Sequence, residues 1–395
     1  MAVAGFSPAA ARRAGWTLDE LVQRLLERQP RAIGRAISLL ENGAGGALGT
    51  AVPVAAPVAA PVGPPVAGIA GAAGARAAAA RELIGRIYER TGRARVVGVT
   101  GPPGAGKSTL VDRLARRCRQ RGDTVAILAV DPTSPFTGGA LLGDRIRMQS
   151  LYTDPGVFIR SMATRGAMGG LARASRDAVD LLDAAGFDWV LVETVGVGQD
   201  EVDVVRTVDS VVLVTVPGLG DDIQAIKAGI LEIADVFVIN KADREGVERT
   251  FKDLQMMLSI GEHGVWLPPV LKAVAIRDEG IDRLLAEVER HREHLAASGE
   301  LAARRRSHLK LRVETLLKER VVAAADQVMG LDREVDRGFA AKLDPYQVAD
   351  RLFAGVVDAS RDAPASGDGT GSESAGSVPE SAGSGPESAA GEGAP

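Results

Sequence analysis

The chain carries one cysteine, Cys118, in 395 residues. No intrachain disulfide can form, so a cytoplasmic location is the expectation. Cys118 itself falls in an apolar helical pattern, where packing is the default role for a lone thiol. Histidines number four, at positions 263, 291, 294 and 308. A transition-metal centre needs soft or imidazole donors brought together, and this chain has few to bring. His291 and His294 lie one turn apart and could share a helix face, but without Cys partners a solvated face is the plainer expectation. The formal net charge is only -4, which gives no overall attraction to nucleic acid or an anionic membrane. Arg304-Arg305-Arg306 is read as a solvated basic run. Arg12 and Arg13 are not followed by the apolar core of about 7–15 residues that a secretory signal needs. Residues 51–75 are apolar, yet Pro53, Pro57, Pro61, Pro64 and Pro65 interrupt them. Prolines at that density break helices, so a flexible linker is expected rather than a membrane span.

Two strings are present that carry chemistry. The first is Gly101-Pro102-Pro103-Gly104-Ala105-Gly106-Lys107-Ser108-Thr109. It fits the phosphate-loop pattern, and its context is the test of the match. Residues 95–100 before it read as a buried strand, and residues 110–115 after it have helical spacing. A loop between strand and helix N-terminus aims backbone N–H groups and the helix dipole at phosphate oxygens. Lys107 would reach the β- and γ-phosphates and Ser108 would ligate Mg²⁺. The second string is Asn240-Lys241-Ala242-Asp243, at the end of the apolar run 236–239. A carboxylate at Asp243 can accept from guanine N1 and the exocyclic amine, a donor pair that adenine lacks. Asn240 would brace the loop or contact N7, and the Lys241 stem would cover the base plane. Residues 270–275 read as a last strand with a degenerate base-side loop at Ala273 and Val274. Together the strings predict GTP or GDP as ligand.

Acidic residues end two further strand patterns. Residues 125–130 lead to Asp131, and residues 189–192 lead to Glu193. The carboxyl ends of parallel strands are where such folds bind ligands, and Mg²⁺ takes one or two carboxylates beside phosphate oxygens. Asp131 and Glu193 are therefore metal candidates with Ser108; capping of the next segment is the structural alternative. Between them, a glycine-bordered stretch holds Asp144, which could join the metal shell, and Arg147, which could approach phosphate. Gln199 is a candidate to orient the attacking water or, equally, an ordinary loop amide. After the strand pattern 211–216 comes a segment with Asp221, Asp222, Gln224 and Lys227, read as a further switch or a solvated helix start.

Strand and helix patterns alternate through this part of the chain. The expected fold class is α/β, a P-loop NTPase whose mostly parallel sheet is covered on both faces, with N- and C-terminal helical extensions. The expected organisation is an N-terminal helical extension (1–43), an Ala/Pro/Gly-rich linker (44–76), the nucleotide domain (77–296), C-terminal helices (297–358) and a Ser/Gly/Ala/Glu/Pro tail (359–395), whose composition favours disorder. Thr17 and Glu20 form a capping box ahead of the first helix. The C-terminal helices need another surface to bury their apolar positions, and a second subunit is one candidate.

At this point the residues resemble the MeaB/ArgK GTPases, G-protein chaperones of adenosylcobalamin-dependent methylmalonyl-CoA mutase. The strings that carry the resemblance are GPPGAGKST, AVDPTSPFTGGALLGDRIRM, FIRSMATRGAMGG, GFDWVLVETVGVGQDEVDV, GDDIQAIKAGILEIADVFVINKAD and DPYQVADRL. They span roughly residues 16–44 and 76–358. The resemblance implies slow GTP hydrolysis accelerated by the mutase, and gating of cofactor loading. It implies phosphate and Mg²⁺ roles for Lys107, Ser108, Asp131, Asp144 and Glu193, a coupling switch at residues 219–227 with Lys227, and a homodimer through the C-terminal helices. The insert after residue 43 and the low-complexity tail depart from the family pattern. Two other readings share the phosphate loop: an ArgK-like protein kinase, for which no acceptor site or base is marked, and a metallochaperone GTPase.

Overall fold

A computed structural model describes residues 16–44, 73–132, 151–164, 170–194, 208–218, 233–260 and 265–362. Among them are seven strands, β1 Arg95–Thr100, β2 Val125–Pro132, β3 Val157–Thr164, β4 Trp189–Thr194, β5 Ser210–Thr215, β6 Val236–Ile239 and β7 Val270–Lys272. They form one sheet in the order β3-β2-β4-β1-β5-β6-β7, and every pairing is parallel. Ten α-helices accompany it: α1 Leu18–Leu26, α2 Pro30–Ala44, α3 Ala73–Ile87, α4 Lys107–Gln120, α5 Gly170–Ala184, α6 Val247–Ile260, α7 Ile281–Ser298, α8 Glu300–Met329, α9 Leu331–Ala340 and α10 Pro345–Asp362.

The strands are apolar almost throughout because both faces are covered. Alternate residues serve opposite faces, as the pleat requires. Val96, Leu128, Val190 and Val192 join a cluster with Leu21, Leu25, Ile33, Ile37, Leu83 and Ile87 from α1, α2 and α3, together with α5. Val97, Val99, Ile127, Leu191, Val212 and Val214 join the other cluster with Leu110, Val111 and Leu114 of α4 and Leu284, Leu285 and Val288 of α7. A third cluster sets Leu213, Phe237 and Ile239 against Leu254 and Leu258 of α6. Thr17 caps α1 through the expected reciprocal bonds with Glu20. Strand β3 has no counterpart in the apolar-run reading, because Arg160, Ser161 and Thr164 interrupt its hydrophobic pattern.

The chain divides into two compact units, Met1–Ala323 and Ala324–Pro395, with the boundary inside α8. In the first unit, α8 is joined to the nucleotide domain by ion pairs. Arg304 grips Asp235 at 2.8 Å, Arg305 grips Asp209 at 2.7 Å, Arg312 pairs with Asp177 and Asp180, and Arg173 of α5 pairs with Glu319. Arg304 and Arg305 are thus clamps rather than a solvated run. His291 departs from the solvated-face expectation too: it is fully buried, with Nδ1 2.8 Å from Ser210 Oγ and Nε2 3.2 Å from Asp235 Oδ1. The tertiary packing of α7 and α8 against the start of β5 and β6 buries these polar groups on Asp209 and Asp235, partners that no local pattern announces. In the second unit α9 and α10 pack on each other, with Gly338 closely facing Val348. Among the described residues, no helix is long and apolar enough to cross a membrane.

Candidate nucleotide-binding site

The order of strands decides where a ligand site forms. The chain leaves β1 for β2 on one side and later places β5 on the other. The carboxyl end of β1 therefore opens into a crevice at the topological switch point. Residues 101–106 fill that end and lead directly into α4. Two glycines permit the turn. Gly101 has φ 141°, and a Cβ there would lie 2.0 Å from Val214 O. Gly106 caps α4 at φ 91°, where a Cβ would meet Asn240 Nδ2 at 2.4 Å. The loop is thus held so close to β5 and to the second string that only glycine fits.

Lys107 is buried, and its ammonium donates to Gly101 O at 2.7 Å and Pro102 O at 3.1 Å. It curls back over the loop, where a phosphate oxygen can replace a carbonyl as its acceptor. Pro103 and Gly104 are exposed at the apex, Ala105 is buried beneath it, and Thr109 is half-buried in the first turn of α4. Ser108 Oγ donates to Glu193 Oε1 at 2.5 Å, so the helix start and the end of β4 meet. A hydroxyl and a carboxylate are hard oxygen donors of the kind Mg²⁺ takes, so this donor set fits the ion. Asp131 stands at the carboxyl end of β2, beside β4. Behind the loop, Thr194 Oγ1 donates to Thr100 Oγ1 at 2.9 Å in a buried pair that locks β4 to β1. Nothing in the sequence pattern singled that pair out.

The second string forms the other wall. Asn240 is buried and bridges three segments. Its Nδ2 donates to Ala105 O at 2.8 Å, while Oδ1 accepts from Ala275 N at 3.1 Å. Asn240 therefore acts as a brace. Lys241, at φ 56°, sends its ammonium to Gly104 O at 2.7 Å. The loop also anchors on β7, through Ala242 N to Ala273 O and Ala273 N to Ile239 O. Val274 bridges to Glu279 and closes the turn that follows. Asp243 accepts from Arg277 Nη2 at 3.2 Å. Arg277 is a site residue that sequence reading did not pick out: a lone Arg six residues beyond Leu271 carries no motif.

Asp144, Arg147, Gln199, Asp221, Asp222, Gln224 and Lys227 lie outside the described residues. Among the described residues, no group of three or more His, Cys, Asp or Glu is placed to hold a metal ion. A separate cavity of about 140 Å³ sits at the amino end of β1, lined by Gly92, Val96, Arg176, Asp183 and His308 among others. Its carboxylate Asp183 is taken up by the backbone N–H groups of Gly92, Arg93 and Ala94, so this cavity belongs to the packing and not to the nucleotide loops. Cys118 is buried in α4 and burial pushes its thiol up to about 12, which makes it inert.

The geometry can be set against known proteins. The family model described as methylmalonyl Co-A mutase-associated GTPase MeaB matches residues 69–329. A Pyrococcus abyssi protein named "Putative GTPase" is 46% identical over 86% of this chain and 97% of its own length. The mouse protein named methylmalonic aciduria type A homolog, mitochondrial, is 37% identical over 65% of this chain and 64% of its own. A crystal structure titled LAO/AO transport system kinase superposes with a TM-score of 0.61 at 26% identity, covering 88% of this chain and 98% of that one. Two cross-braced loops on an all-parallel sheet and a family match across most of the chain lead to one conclusion: this protein is a P-loop GTPase and belongs to the MeaB family.

Proposed function

We propose that the chain is a GTP-hydrolysing chaperone that gates or protects cofactor loading of an adenosylcobalamin-dependent methylmalonyl-CoA mutase. The observation that carries the nucleotide part is the Asn240 brace, which ties the phosphate loop at Ala105 to the base-side turn at Ala275. A ligand with phosphates at one end and a purine at the other spans two such walls. Family membership and the name of the mouse relative support the mutase as partner. Mg²⁺, which offsets phosphate charge when bound, would be held by Ser108 and Glu193 with Asp131 nearby, and Asp144 would complete the set. Lys107 would orient the β- and γ-phosphates, the main-chain N–H groups of 104–109 would cradle them, and Gln199 would position the attacking water. Asp243 would accept from the guanine edge. The segment with Asp221, Asp222, Gln224 and Lys227, and Arg147 before it, would report nucleotide state to the partner.

The same reading places the protein in the cytoplasm as a homodimer. Phe339, Tyr346 and Phe353 in the second unit are large apolar side chains left exposed, and a second copy would cover them. Calorimetry of the full chain with Mg²⁺ tests the core of the proposal. GTP should bind, ATP should not, and Asp243→Asn should erase most of the difference; equal binding of both nucleotides by the unaltered chain would end the base-reading claim. For the partner, added mutase should raise GTP turnover, and Lys227→Ala should lose that stimulation while keeping basal turnover.

A further inference from the structure

The turn that follows β7 is tied down more heavily than its length requires. It runs from Val274 to Asp278 as one 3₁₀ turn, Ala275–Arg277, ending on Asp278 at φ 64°. Within it, Arg277 N donates to Val274 O at 2.9 Å and Asp278 N to Ala275 O at 3.2 Å. Three outside groups then fix it. Asn240 Oδ1 takes the N–H of Ala275, and Arg113 Nε donates to the carbonyl of the same residue at 3.2 Å. Arg117 Nη2 pairs with Asp278 Oδ2 at 2.6 Å, and its Nε reaches Asp282 at 3.1 Å. Arg113 and Arg117 stand on α4, the helix that grows out of the phosphate loop. The turn is therefore fastened to the phosphate side and to the base side at once.

Arg277 is the one residue of this turn whose side chain reaches the base reader. Its backbone cannot wander, and its guanidinium donates one hydrogen bond to Asp243 Oδ2. The carboxylate keeps its other acceptor positions, because two oxygens offer about four lone-pair sites. Asp243 otherwise stands on an exposed loop, where a short side chain would sample several rotamers. A cation rooted in a pinned turn removes that freedom before the base arrives, and preorganisation of this kind raises affinity without adding a contact to the ligand.

We propose that Arg277 is a positioning residue for guanine selectivity, which holds the Asp243 carboxylate in the pose that accepts from the base edge. The inference rests on the reading of Asp243 as the guanine acceptor. It assigns the job of the degenerate base-side loop, whose Ala273 and Val274 side chains have nothing to donate, to a side chain three residues further on. Only Nη2 makes the contact, so a charge with one good donor should suffice, and lysine should substitute in part.

The test is a set of dissociation constants for GDP and ADP, measured by competition on the full chain with Mg²⁺ present. Arg277→Ala should lower the preference for GDP over ADP about three- to fivefold, the range of a partly exposed ion pair. Arg277→Lys should recover at least half of the loss. In the Asp243→Asn background, Arg277→Ala should leave the preference unchanged, because the carboxylate it positions is gone. Equal weakening of GDP and ADP by Arg277→Ala would make Arg277 a mere brace of the turn and overturn the inference. So would an undiminished preference, or a full effect that persists without Asp243. If Asp243→Asn alone leaves the preference intact, the base-reading proposal fails first, and the two failures are told apart by that single variant.

Discussion

The two ends of the sheet differ in the contacts that their principal polar side chains make. At the carboxyl ends of the strands, cations and an amide rest on backbone carbonyls. Lys107 lies on Gly101 O, Lys241 on Gly104 O and Asn240 on Ala105 O. At the amino ends, cations rest on carboxylates. Arg304 meets Asp235, and both Arg292 and Arg305 meet Asp209. A lysine that donates to carbonyls of the phosphate loop lies where an incoming phosphate oxygen can take over as its acceptor. An arginine on a buried carboxylate is already matched and has nothing to offer an anion. Asp235 shows the strength of that matching: burial pushes its carboxyl up, yet contacts from His291 and Arg304 outweigh burial and hold it below the usual range. One end is thus poised for a ligand, while the other fastens α8.

The comparison breaks if substitutions at one end produce the other end's symptoms. Lys107→Ala should have the largest effect, a loss of roughly 100-fold or more in GTP turnover, the order expected when one donor to developing charge is removed. Its Tm should change little, and a large fall in Tm would show that Lys107 holds the fold. Arg304→Ala should do the reverse. It takes one charged partner from the buried Asp235 carboxylate, which His291 and the Val211 N–H still hold, so the cost should be about 1–3 kcal/mol; the midpoint of urea unfolding measures it, and GDP affinity should stay within twofold. Asn240→Ala stands between the two. It leaves Ala105 O and Ala275 N without a partner, which costs about 1–3 kcal/mol of stability, and it should weaken GDP and GTP alike.

The smallest expected effect sharpens the picture of the amino end. Asp177 shares Arg312 with Asp180, and burial pushes its carboxyl up to about 6, against the opposing pull of Arg312. The folded value lies above the unfolded one, so its contribution to stability is complete at acid pH and is lost as pH rises through about 6. Wild-type Tm should therefore carry a falling component between about pH 4 and pH 6.5. Asp177→Asn should flatten that component. A slope unchanged by the substitution would assign it to another group.

Much of the nucleotide end was legible in the chain itself. The phosphate loop and the guanine string are local patterns, and β1 and β6 fall on the bounds their apolar runs suggest, Arg95–Thr100 and Val236–Ile239. Strand β3 was not, because Arg160 reaches out to Ser38 and Glu41 of α2 and so breaks the apolar run that a buried strand would show. The basic run at 304–306 read as solvated for a similar reason: its partners, Asp209 and Asp235, lie far away in sequence.

Sequence alone determined the strand–loop–helix cradle, the class of nucleotide and the alternating layers, since each depends on residues within one turn or one strand of each other. Only the tertiary structure decided that Asn240 is a brace, that Arg277 reaches Asp243, and that α8 is clamped through Asp209 and Asp235. Those contacts join residues 34 to 135 positions apart. No local preference encodes such a pair; it exists because an all-parallel sheet brings every loop that follows a strand to one edge and every loop that precedes one to the other.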